Sequence, residues 1–192
     1  MSDFRRTQIL DAARQNFIRH GVVDTTVDGI ARTAGVAKGT VYLYYKSKDE
    51  ILRQVLTADL AEFHDETVPV VTGPGALEDR LRKFLAAVLA FFERKRDFIE
   101  HCQIEMSPDV RKKARQKLGL VFEAQTEAWR HALVDGVDTG AVRVADPAGA
   151  ARGIVSLAHG LAIQRLRGWH TGTIDDAVAW CAPLVLQGVA AK

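Results

Sequence analysis

The sequence predicts an all-α protein, an N-terminal unit of three short helices followed by a longer helical body, with about nine helices in total. Three observations lead there. Apolar residues recur at three- and four-residue spacing along almost the whole chain, and no apolar–polar alternation is long enough to build a sheet. Hydroxyl, Asp, Gly and Pro residues stand where helix ends need them. With 192 residues, 47% of them hydrophobic and 26% charged, the chain has material for a substantial core.

The first helix carries Ile9, Leu10, Ala13 and Phe17 on one face and stops near Gly21. Thr25 and Thr26 offer N-cap hydroxyls to a short second helix marked by Val27, Ile30, Ala31 and Ala34, which Gly35 breaks. A third short helix covers residues 38–45. Ser47-Lys48-Asp49-Glu50 is a capping box that opens a longer fourth helix through Ile51, Leu52, Val55, Leu56 and Phe63. Residues 68–75 hold two prolines and two glycines and read as a loop. Leu77, Leu81, Phe84, Leu85, Val88, Leu89 and Phe92 mark a fifth helix; Phe98, Ile99 and Cys102 a sixth; Leu118, Phe122, Gln125, Trp129 and Leu133 a long seventh, set off by Pro108. After a loop over 136–145, Asp146-Pro147 supplies an N-cap and first-turn proline for a helix rich in small residues. Thr173 with Asp176 caps the last helix, inside which Pro183 is expected to cause a kink.

The formal charge is +2 but unevenly spread, since residues 1–48 carry eight Lys or Arg against four acids. A basic N-terminal quarter on a mildly acidic body is the asymmetry expected if that end meets phosphate. No apolar run approaches the roughly 20 residues of a membrane span and no signal-peptide core precedes a cleavage site, so a cytoplasmic protein without a membrane partner is expected. Cys102 and Cys181 sit in apolar helical patterns, as buried free thiols do. An enzyme is disfavoured: the six histidines are scattered, and no nucleophile–base pair, phosphate loop, cofactor motif or metal signature stands out. His101, Cys102 and Glu105 share a helical face but lack a fourth metal ligand.

The informative stretch is residues 25–48. Two short helices joined by a glycine-containing turn can lay the second across the DNA major groove while the first braces the backbone. Lys38 and Lys48 can neutralise phosphates, Gly39 lets the backbone approach closely, and Thr26, Thr40 and Tyr42 bring hydroxyl donors. Leu43 and Tyr44 can reach base edges or thymine methyls. Read singly, Val27, Ile30, Ala31, Val41 and Tyr45 are core, and Thr26 and Ser47 are caps. Together, Lys, Gly, Thr and two Tyr on one exposed turn and helix make a costly surface unless something binds there.

From Thr25-Thr26 through Ile30-Ala31, Ala34-Gly35-Val36, Lys38-Gly39-Thr40-Val41-Tyr42, the aromatic pair and Ser47-Lys48-Asp49-Glu50-Ile51-Leu52, the segment resembles the TetR family of regulators. The resemblance covers roughly the first quarter of the chain. It implies an all-helical homodimer, with a helix-turn-helix DNA-binding domain over residues 1–48 and a ligand-binding and dimerisation domain over 49–192. Carried over position by position, it implies DNA contacts by Thr26, Lys38, Gly39, Thr40, Tyr42, Tyr44 and Lys48, with Leu43 where a base-reading side chain often sits. A leucine there can touch a methyl but cannot hydrogen-bond a base.

In the body, Phe63, Phe92, Phe98, Phe122 and Trp129 are candidates to line an apolar pocket, with His64, His101, Glu105 and Gln125 as its orienting polar groups. Val155, Ala158, Leu161 and Ala162, with Val178 and Val185 of the last helix, are candidates for a dimer interface. The expectation is therefore a sequence-specific repressor bound to double-stranded DNA at a roughly palindromic operator and released by a small, largely apolar effector.

Overall fold

The computed structural model describes residues 2–189, excepting the side chains of 2, 102–104 and 189. Cys102, expected to be a buried thiol, lies outside the described side chains. Among the described residues there are nine helices and no strand: α1 (Ser2–Asp24), α2 (Val27–Thr33), α3 (Lys38–Tyr44), α4 (Lys48–Thr72), α5 (Leu77–Arg94), α6 (Arg96–Glu105), α7 (Pro108–Asp138), α8 (Pro147–Leu166) and α9 (Ile174–Val189). No described helix is long and apolar enough to cross a membrane.

Two compact units form. The first comprises the residues up to Ala61 together with Lys95–Leu118, and the second comprises Glu62–Arg94 together with the residues from Gly119 onward. A division at residue 48 marks the end of the motif rather than of the packing. Ile51, Leu52 and Val55 on the first turns of α4 are fully buried with Ile9, Phe17, Ile30 and Val41, and Phe98 and Val110 complete that core. Asp59, buried, ties the unit together by accepting from Arg14 at 2.5 Å and Lys95 at 2.8 Å. In the second unit α5 packs against α8 and α9, and Phe84, Leu85, Val88, Trp129 and Leu133 are essentially solvent-free.

Two expected loops start later than the glycines and prolines suggested. α4 continues through Pro69 to Thr72. That proline removes only the amide that would bond residue 65, close to the helix end, while Val71 is fully buried and its carbonyl accepts from Arg80 Nη1 at 2.9 Å. α7 runs past Gly136 to Asp138 because Val142 folds back onto that glycine, where a Cβ would meet Cγ2 at 2.8 Å. The expected caps form as sequence chemistry requires: Asp146 accepts from the Gly149 amide at 2.9 Å, and Thr173 and Asp176 cap each other's amides at 3.0 Å. Pro183 lies within α9.

Candidate nucleic-acid interface

The first unit builds a helix-turn-helix from α2 and α3, braced by α1. Thr26 accepts from the Gly29 amide at 3.0 Å and so starts α2. α2 ends in a Schellman arrangement, with Gly35 at φ 63°, its amide on Arg32 O at 3.1 Å and the Val36 amide on Ala31 O at 3.0 Å. That left-handed residue turns the chain into α3. α1 fixes the pair through Gln8, which donates to Ala34 O at 2.8 Å, and Asn16, which donates to Thr33 Oγ1 at 2.9 Å. The box at Ser47 closes as expected on one side, with the Glu50 amide on Ser47 Oγ at 3.1 Å; Glu50 itself reaches back to the Lys46 amide at 2.6 Å.

Val41 and Tyr45 point into the core, which leaves the other face of α3 outward. Leu43 is 83% exposed and Tyr42 47% exposed, a large apolar expenditure for a helix of seven residues. Lys38, Gly39 and Thr26 are also exposed, and Thr40, Tyr44 and Lys48 are half-buried. Apart from its chain neighbours and the backbone of its own helix, no described atom lies within 4 Å of a Cβ built on Gly39, so this spot is open to a partner. Arg6 stands over the Tyr44 ring at 5.6 Å, adding a cation beside it. Lys38 pairs with Asp28 at 2.9 Å, and the hydrogen bond to that carboxylate holds its pKa above the ordinary lysine value. Both partners are exposed, so a phosphate can displace the acid at little cost. Lys48 is placed differently from a free surface lysine: its Nζ donates to Val22 O at 2.6 Å and Val23 O at 2.8 Å.

The residues expected to line an effector pocket divide between the units. Phe63, Phe92, Phe122, Gln125 and Trp129 belong to the second unit, where Phe63 packs on Phe91 at 4.6 Å and Phe92 at 5.6 Å. His64, in the same unit, is half-buried and lies 3.0 Å from Asp65. Phe98, His101 and Glu105 belong to the first unit. There Phe98 is core against Phe17, His101 is exposed and donates to Asp97 O at 2.6 Å, and Glu105 binds backbone amides of α1. Phe98 and Glu105 join α6 to α1 within the first unit, and His101 bonds within its own helix.

At the centre of that cluster is a residue the sequence did not single out. His159 is 5% exposed, lies 3.8 Å from the Phe122 ring, and contacts Phe63 and Phe92 edge-on. Gln125 Nε2 donates to Thr67 Oγ1 at 2.8 Å, and Thr67 donates to Phe63 O at 2.6 Å, so Gln125 Oε1 is left to accept from His159 Nε2 at 2.8 Å. Burial pushes the imidazole pKa down to about 3, so the ring is neutral. Trp129 is fully buried against Phe84, and its indole N–H has no partner among the described residues. The sequence signal for His159 was a polar residue on the buried face of a small-residue helix, and it was masked by reading that face as an interface between chains.

That face is internal. Val155, Ala158, Leu161, Ala162 and Val178 are all buried within their own chain, and Val185 is half-buried, because the apolar stripe of α8 is consumed by packing against α5. α8 leaves Arg152, Gly153, Ser156, Gly160 and Gln164 exposed, the last four on one face at helical spacing. On α9, Trp180 is 45% exposed and Leu184 59%. Among the described residues no cluster of His, Cys, Asp and Glu could hold a metal ion.

A family model described as "Bacterial regulatory proteins, tetR family" matches residues 9–55. The chain is 27% identical over 148 residues to the uncharacterized HTH-type transcriptional regulator YhgD of Bacillus subtilis (strain 168), covering 77% of this chain and 76% of the relative. A TetR/AcrR family regulator from Thermobifida fusca YX-ER1 has a similar structure, with TM-score 0.71, 26% identity, and 96% and 97% of the two chains covered. FadR of Bacillus subtilis, solved in complex with stearoyl-CoA, shares the fold at TM-score 0.72 and 19% identity, with 95% and 98% covered.

Proposed function

The chain belongs to the tetR family of bacterial regulatory proteins, DNA-binding regulators of transcription, and from that premise we propose that it is a homodimeric repressor whose α3 reads a roughly palindromic operator. A small, largely apolar ligand bound at the aromatic cluster of the second unit releases it. The observation that carries the DNA reading is the outward face of α3, where Tyr42 and Leu43 are exposed beside Lys38, Gly39 and Thr40. A seven-residue helix gains nothing from such exposure in isolation, and every outward side chain on it suits phosphate, base edge or thymine methyl.

Titration of duplex DNA with the full chain tests this assignment. Lys48→Ala is expected to weaken binding to all sequences alike and to lower the salt slope by about one counterion. Tyr42→Phe is expected to weaken binding through loss of a hydroxyl contact, and Leu43→Ala to change which base pair is preferred at one position. Parent-like affinity, preference and salt slope in all three variants would remove α3 from the groove.

The effector reading is supported by the make-up of the cluster: Phe63, Phe91, Phe92 and Phe122 surround Thr67, Gln125 and a neutral His159, a combination suited to an uncharged molecule with one polar handle. The stearoyl-CoA bound to FadR is a precedent for an apolar chain in this fold. Ligand and DNA must then weaken each other's binding by the same factor. For the dimer, the exposed glycines of α8 and Trp180 and Leu184 of α9 are the proposed contact, in place of the buried stripe.

A further inference from the structure

Within the first unit the two residues just past the break in α1 are held from both sides. Gly21, at φ 75° and ψ 172°, interrupts the helix, and its own carbonyl accepts from Thr25 Oγ1 at 2.6 Å. The amides of Val22 and Val23, turned out of the helical ladder, donate to one oxygen of Glu105, Oε2, at 2.5 and 3.0 Å. The carbonyls of the same two residues accept from Lys48 Nζ. The peptide unit joining Val22 to Val23 therefore lies between a carboxylate at the end of α6, bonded to its N–H, and an ammonium at the head of α4, bonded to its C=O, and the units on either side are each held by one of the two. A Cβ at 21 would stand 2.7 Å from Glu105 Oε2 and push the carboxylate aside, and φ there favours glycine in any case. Glu105 is half-buried at the edge of an open groove of about 420 Å³ lined also by Arg19, His20, Asp24 and His101, so it is not a core packing residue.

We propose that Glu105 is a positioning residue for DNA binding, acting through Val22-Val23 on Lys48; the inference rests on the reading of Lys48 as a phosphate contact. An ammonium has three N–H donors. Two are spent on Val22 O and Val23 O, and the third remains for a phosphate oxygen. A lysine tethered this way has already lost the rotamer freedom that a loose one loses on binding. The carbonyls can tether it only while the backbone at Val22-Val23 is fixed; Glu105 holds the unit carrying Val22 O directly through the Val23 amide, and holds the one carrying Val23 O through the residue they share. A residue far outside the motif in sequence thus sets the aim of a side chain on the DNA-facing motif.

The test is a double-mutant cycle on binding to a short random-sequence duplex, which needs no knowledge of the operator because a phosphate contact is blind to sequence. Glu105→Ala is expected to lower affinity about tenfold in the parent, the loss set by the lysine rotamer freedom it restores, and to change it little when Lys48→Ala is already present. Glu105→Gln, whose amide oxygen can still accept both N–H groups, is expected to restore most of the affinity. If Glu105→Ala fails to fold by circular dichroism, Glu105→Asp, too short to reach both amides, is read in its place. A loss of the same size in both backgrounds, or no rescue by Glu105→Gln, overturns the positioning role. A Lys48→Ala variant with parent affinity and salt slope overturns it too, and distinctively, because it removes the phosphate contact on which the role depends.

Discussion

Replacing Trp180 and Leu184 together with glutamate is expected to turn a dimer into monomers and to lower affinity for a palindromic duplex by roughly a hundredfold or more, because joining two half-site contacts multiplies affinity by about 10²–10⁴. Both side chains are substantially exposed in the single chain, at 45% and 59%, so the change removes little from the monomer's own core. Four glutamates brought together across a two-fold axis would instead repel one another and lose the apolar area that holds the partners. Val155→Glu provides the contrast. Its side chain is 1% exposed, so that variant buries an unpaired charge and is expected to unfold the second unit rather than to yield a folded monomer. Sedimentation together with thermal unfolding separates the two outcomes. A Trp180→Glu, Leu184→Glu double variant that sediments as an undisturbed dimer moves the contact to another surface.

Acidification from pH 6.5 to about pH 5 is expected to remove about 1.6 kcal/mol of stability through His159 alone, the slope approaching about 1.36 kcal/mol per pH unit once the unfolded imidazole is protonated. In the unfolded chain the imidazole titrates near 6.5, whereas in the folded protein burial holds its pKa at about 3. The unfolded state therefore takes up the proton first. Stability is complete above pH 6.5 and falls as the pH drops toward 3, where the folded ring is protonated too. Among the described residues the ring's polar partner is the neutral Gln125, and its aromatic neighbours offer no counter-charge. His159→Gln, which can still donate to Gln125 Oε1, is expected to flatten this part of the pH profile in urea unfolding. The same slope in parent and variant would mean that the cluster takes up the proton without penalty, and would remove the argument for an uncharged effector.

The helix-turn-helix was legible in the sequence because its chemistry is local. Thr26, Gly35, Ser47 and Glu50 each act on backbone groups within a few residues of themselves, and the outward face of α3 follows from the burial of Val41 and Tyr45 four residues apart. Pro69 and Gly136 were misleading for the opposite reason. Each would end an isolated helix, but the burial of Val71 and the fold-back of Val142 outweigh a weak local preference. Glu105 and His159 were out of reach in different ways. The partners of Glu105 are backbone amides more than eighty residues away, invisible to side-chain spacing. His159 sits on an apolar stripe, and periodicity reports that a stripe is buried without reporting whether its own chain or a second copy buries it.

Selection of duplexes from a random-sequence pool by the full chain, repeated with a Tyr42→Ala, Leu43→Ala variant, bears most directly on the claim that α3 reads DNA. The parent is expected to enrich a two-fold symmetric sequence with half-sites spaced by whole helical turns, about 34–36 Å apart or a multiple of that, and the variant to enrich none or a different one. A pool that stays random with the parent, or the same sequence recovered by both proteins, would contradict it.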